Sequence, residues 1–103
     1  MIAAEQVLQA LGDPTRRAIV ERLSQGPVSV SQLAGPLGVT VTAVAQHIAV
    51  LEACGLARSQ KLGRMRICAL ATDGLDVLAQ WIAAKRSPLE KALDRLGDLL
   101  GET

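Results

Sequence analysis

The chain has 103 residues, half of them apolar and one fifth charged. That is the size and composition of a single globular domain over residues 1–103, and it excludes a disordered chain and a membrane span of about 20 consecutive apolar residues. Trp81 is the only aromatic residue, which excludes a reader of single-stranded nucleic acid that stacks bases on rings. The net charge of +1 is unevenly spread: residues 1–21 carry −1, residues 22–72 carry +4 (Arg22, Arg58, Lys61, Arg64 and Arg66 against Glu52), and residues 73–103 carry −2. A basic middle between mildly acidic flanks suits a polyanion partner for the middle alone.

Helix punctuation is legible along the chain. Val7, Leu8 and Leu11 form a first apolar stripe that Gly12 ends. Asp13-Pro14 reads as an N-cap followed by proline at the first helical position, and the stripe Ile19, Val20, Leu23 runs from it to Gly26-Pro27. Ser29-Val30-Ser31-Gln32 has the spacing of a capping box, with Leu33, Ala34 and Leu37 behind it. Pro36 lies inside that short helix and predicts a shortened or kinked element. Gly38 stops it, Thr40 caps the next helix, and Val44, Ile48 and Leu51 carry an inward stripe to Gly55. Residues 56–62 and 65–70 then alternate basic or polar with apolar residues around Gly63, the pattern of a β-hairpin. From residue 72 a helical period resumes, with Leu75, Leu78, Ile82, Leu89, Ala92, Leu96 and Leu99 at spacings of three and four, interrupted only by Lys85. Ser87-Pro88-Leu89-Glu90 is a second helix-start signal, so a kink or a break into two helices is expected near Pro88. The expected fold is mainly α with a small β-hairpin wing behind a helix-turn-helix.

Five stretches resemble the ArsR-type winged-helix bacterial transcriptional regulators. Leu11-Gly12-Asp13-Pro14-Thr15-Arg16-Arg17-Ala18-Ile19 is similar to the opening of that family's second helix. Ser31-Gln32-Leu33-Ala34 and Leu37-Gly38-Val39 resemble its third helix and turn. The run from Ala43 through Gln46-His47-Ile48 to Gly55-Leu56 resembles its recognition helix and exit, and Gly63-Arg64 its wing. The resemblance covers residues 8–70. It implies a homodimer that binds a double-stranded operator as a repressor and releases it on a signal. The long last helix with Trp81 is more similar to members that sense no metal. Ala45 and Ala49 depart from the family, which commonly has Ser and Lys or Arg there, and this predicts modest affinity from the helix alone.

Physical reasoning places the same roles. A recognition helix over residues 40–53 with Val44, Ile48 and Leu51 inward turns Thr40, Thr42, Ala45, Gln46 and Ala49 to the major groove. Gln46 can pair two-pronged with adenine, and the threonines can meet phosphate or a thymine methyl. In the wing, residues 57–70, Lys61, Arg64 and Arg66 would reach phosphates or a narrow minor groove. His47 matches a histidine common in the family; packing against the third helix and touching phosphate are the roles open to it. Val7, Leu8 and Leu11, with Leu78, Ile82, Leu89, Leu93, Leu96 and Leu100 from the helical stretch 72–101, form the expected dimer surface.

Cofactors are not expected. His47 is the only histidine, and no cysteine lies in the third helix, so a zinc ligand set is missing. Two cysteines do not make a disulfide scaffold, and the N-terminus lacks the basic region of a signal peptide, so the cytoplasm is the expected compartment. Cys54 and Cys68 leave a thiol-based redox regulator open as an alternative, and the alanines on the reading helix leave a protein-interaction module without DNA. Nothing in the sequence supports an enzyme, and no effector is legible.

Overall fold

The computed structural model describes residues 1–101. They form α1 (Ala4–Leu11), α2 (Pro14–Leu23), β1 (Val28–Ser29), α3 (Val30–Leu37), α4 (Val41–Ala53), β2 (Ala57–Leu62), β3 (Met65–Leu70) and α5 (Asp73–Gly101). The fold is a winged helix-turn-helix, mainly helical with a β-hairpin, and its helix starts lie where the local chemistry puts them. The Asp13 carboxylate accepts the N–H groups of Thr15 and Arg16 at 2.8 and 3.1 Å. The Arg16 N–H is the main cause of a carboxyl held below the usual carboxylate range. This cap therefore acts fully above that range and is lost as the pH falls through the lowered value. Ser29 and Gln32 make the reciprocal capping box, each bond 3.2 Å long. Thr40 Oγ1 accepts the Ala43 N–H at 3.0 Å. Helix α3 is short, as Pro36 predicts, and Gly38 closes it at φ 65°.

Residues 28–29 were not separable from a helix start by pattern, yet they form a third strand. β1 pairs antiparallel with β3 (Val28↔Cys68, Ser29↔Ile67), giving the sheet order β1-β3-β2. Two residues cannot display an alternation, and Ser29 serves both as strand end and as N-cap. The hairpin turn is the two residues Gly63 and Arg64, with a positive φ only at the glycine.

Helix α5 differs from one of the two expectations at Pro88: it runs unbroken through the proline. The cost is one backbone bond, in a segment open to solvent. Strong helix formers on both sides (Ala83, Ala84, Lys85 before; Leu89, Glu90, Lys91 after) outweigh it.

The core is built from α1, α2, α3, α4 and the sheet, with Val7, Ile19, Val44, Ile48, Leu51, Leu56 and Cys68 fully buried. Val7 is thus a correction to the expected dimer surface. It is 0% exposed inside its own domain, whereas its neighbour Leu8 is 43% exposed, because consecutive residues on an eight-residue helix cannot share a face.

Helix α5 docks on the end of α4 through two glycines. Gly55 ends α4 at φ 74°, and its carbonyl accepts the Gly74 N–H at 2.8 Å. A Cβ on Gly74 would press into the Cys54 carbonyl oxygen, and one on Gly55 into the Ile2 side chain. Because backbone blocks Gly74, the helix itself would have to move. Gly74→Ala is expected to cost about 2–3 kcal/mol, read as a lowered denaturant midpoint at fixed protein concentration. An unchanged midpoint would show that this junction gives way freely.

Candidate DNA-reading surface

Helix α4 separates its faces sharply. Val44, Ile48 and Leu51 are 0–2% exposed, while Val41, Thr42, Ala45, Gln46 and Ala49 are exposed. At 100° per residue, Val41, Ala45 and Ala49 lie along one edge of this outward face and Gln46 toward the other, with Thr42 between. Thr40 is exposed as well, but its Oγ1 already accepts as the N-cap.

The wing stands beside the start of this face. A groove of about 290 Å³ is lined by Val41 and Ala45 of α4, by Val30 and Ser31 of α3, and by Arg64, Met65 and Arg66 of the wing. The structure therefore brings Ala45, Arg64 and Arg66 together around one groove. Lys61 pairs across the hairpin with Arg66 and is exposed. Arg66 is held in place: its Nη1 donates to Ser59 Oγ at 3.0 Å, and that hydroxyl donates to Glu52 Oε1 at 2.8 Å. The wing is thereby tied to the last turn of α4. Sequence reasoning missed this chain and missed Val41 and Met65. Val41 could have been found from its position four residues before Ala45; the Ser59 link needs the register Ser59↔Cys68 and has no local signal.

His47 is half-buried, with its Nδ1 toward Arg16 of α2. Arg16 Nη1 lies 3.5 Å from His47 Nδ1. A guanidinium can only donate, so in a hydrogen bond between these atoms Nδ1 is the acceptor. The same guanidinium donates from Nε to the Ala10 carbonyl at 2.7 Å, and Arg17 donates to the Leu11 carbonyl at 2.7 Å. The two arginines thus cap the carbonyl end of α1, where a cation also meets the negative helix pole. Asp13, Arg16 and Arg17 thus join the end of α1 to the start of α2.

Cys54 and Cys68 are both free and buried. Burial pushes both thiols above their ordinary range, and Cys54 Sγ donates to the Leu51 carbonyl. A protonated, enclosed thiol is the opposite of a reactive one, so the geometry does not favour a thiol switch. Among the described residues, no group of three His, Cys, Asp or Glu side chains lies close enough to hold a metal ion, and no single helix is long and apolar enough to cross a membrane.

The expected dimer surface divides in three. Val7 belongs to the core. Leu11 and Leu78 are half-buried against that core. Leu8, Ile82, Leu89, Leu93, Leu96 and Leu100 are exposed, the last four at 51–66%. Lys85, which interrupts the stripe, has its ammonium 5.7 Å from the centre of the Trp81 ring.

Comparison with known proteins agrees with this geometry. Residues 11–60 match the family model described as a helix-turn-helix domain. The chain is 45% identical over 74 residues to the HTH-type transcriptional regulator Rv2034 of Mycobacterium tuberculosis, covering 72% of this chain and 69% of that protein. Among solved structures it superposes with the ArsR family transcriptional regulator RHA00566 at a TM-score of 0.78 and 40% identity, covering 84% of this chain and 89% of the other. It shares its fold with a homodimeric winged helix-turn-helix DNA-binding domain, Mb0332 of Mycobacterium bovis, at a TM-score of 0.62 and 24% identity, covering 88% and 82%. Helix-turn-helix, basic wing and relatives together place the chain in the ArsR family of winged helix-turn-helix transcriptional regulators, which are DNA-binding regulators and not enzymes.

Proposed function

We propose that the protein is a homodimeric, sequence-specific repressor that acts on the DNA of the cytoplasm. The observation that carries this reading is the groove where the outward face of α4 meets Arg64 and Arg66. Helix α4 would enter the major groove, Gln46 would meet an adenine edge, and Thr40, Thr42 and His47 would meet phosphate or base edges. Lys61, Arg64 and Arg66 would hold phosphates or enter a narrow minor groove. The α5 leucine face, continued by Leu8, would pair with that of a second copy. Such a dimer meets two half-sites about 34 Å apart and blocks polymerase on the DNA it covers.

Selection of genomic fragments by the purified protein tests this reading. One enriched site with two-fold symmetry is expected. With at least four phosphates held by the two wings, affinity should fall roughly 150-fold between 50 and 200 mM salt. Enrichment of no sequence would leave a protein-interaction module as the better reading of the same shell.

A further inference from the structure

The helix-turn-helix itself, α3 and α4, contains no strong donor for guanine; the cations of the reading surface are all in the wing. Between Arg22 and Arg58 there is no lysine or arginine, a span that includes all of α3 and α4. Guanine shows two acceptors in the major groove, N7 and O6, and its usual partner is a bidentate Arg or Lys. His47, the one ring on α4, is half-buried and has its Nδ1 toward Arg16. Glu52, the one charged residue of α4, bonds Ser59 at the far end of the helix. The outward face instead presents methyl groups. Val41 is 50% exposed, Ala45 and Ala49 continue its edge, and Met65 of the wing stands beside them, 51% exposed. Apolar side chains left on a surface that must meet DNA have one base-specific partner there, the C5-methyl of thymine. Gln46 adds the amide whose donor and acceptor match adenine N7 and N6.

We infer that the operator half-site is read in the major groove as A·T pairs: adenine by Gln46, and thymine methyls by the edge formed by Val41, Ala45 and Ala49. This deepens the proposed function and rests on it. A narrow A·T-rich minor groove is also the one that attracts Arg64 at the wing tip, so helix and wing favour the same composition.

The test uses the full-length protein and the site recovered by selection. Binding is measured by fluorescence anisotropy on that duplex, on one with each half-site thymine replaced by deoxyuridine, and on one with each half-site guanine replaced by 7-deazaguanine. Uracil keeps every hydrogen bond and lacks only the methyl, so each contacted thymine should lose about fourfold in affinity. Loss of guanine N7 should leave affinity within twofold. In Val41→Ala, an exposed position whose change spares the core, the uracil penalty at one thymine should fall to near unity. A site that binds equally well with uracil, or that weakens with 7-deazaguanine, overturns this inference and leaves DNA binding intact. A uracil penalty unchanged by Val41→Ala moves the effect to DNA stacking and overturns the assignment. If selection enriches no sequence, the proposed function fails and this inference with it.

Discussion

Replacing Leu89 and Leu96 together by glutamate is expected to give a folded monomer that has lost its operator. Both side chains lie on the part of α5 that projects beyond the body, at 58% and 51% exposure. The molecule measures 69 × 29 × 20 Å, and every residue of α5 from 79 to 101 is exposed. A leucine face on an amphipathic helix of this length suits the dimer proposed above. Burial of a leucine contributes about 1.5–3 kcal/mol, and a symmetric interface would use each position twice. The substitution removes four leucines per dimer and puts four unpaired carboxylates in their place. Glutamate is as good a helix former as leucine is, so α5 itself should persist. Sedimentation should report the mass of one chain at concentrations where the unaltered protein is a dimer. Operator affinity should fall about a thousandfold, because the second half-site no longer sits at the high effective concentration that linkage supplies. A double variant that still sediments as a dimer would show that the interface lies elsewhere.

The face used for that argument shows how unevenly this molecule was legible. Caps were readable because their chemistry is local: Asp13, Ser29 and Thr40 each satisfy an N–H two or three residues away. The inward stripe Val44, Ile48, Leu51 was readable because helical period fixes which residues share a face. Features set by distant neighbours were not. Val7 and Leu8 are equally apolar, and only the packing of α1 on the body decides that Val7 is enclosed and Leu8 is left outside. Gly74 looks like an ordinary residue after Asp73; its necessity comes from the Cys54 carbonyl, which the chain brings up from twenty residues earlier. At Pro88 two local signals competed, a helix start and a run of helix formers, and continuity won where solvent could absorb the broken bond. The reading surface was half legible. Exposure of Val41, Ala45 and Gln46 follows from period, whereas Met65 and the Glu52–Ser59–Arg66 chain need the hairpin folded back beside α4.

That chain makes the wing the second place where a large effect is expected. Replacing Arg64 and Arg66 by alanine removes four cations per dimer. If each neutralises a phosphate, the slope of log affinity against log salt should shrink by about 3.6, and affinity near 0.1 M salt should drop about a hundredfold. The sign of the salt effect separates contact from scaffold. A lost phosphate contact matters most at low salt, where released counterions favour the intact protein most, so the two affinities should converge as salt rises. A merely misfolded wing would keep a similar deficit at every salt concentration. Two further variants divide the roles of Arg66. Arg66→Lys keeps the charge and should keep the slope, while losing the planar fork that meets Ser59. Ser59→Ala leaves all charges in place and frees Arg66 from Glu52, so it should weaken binding by only a few-fold with no change of slope. Equal slopes for the double alanine variant and the unaltered protein would place the phosphates away from Arg64 and Arg66.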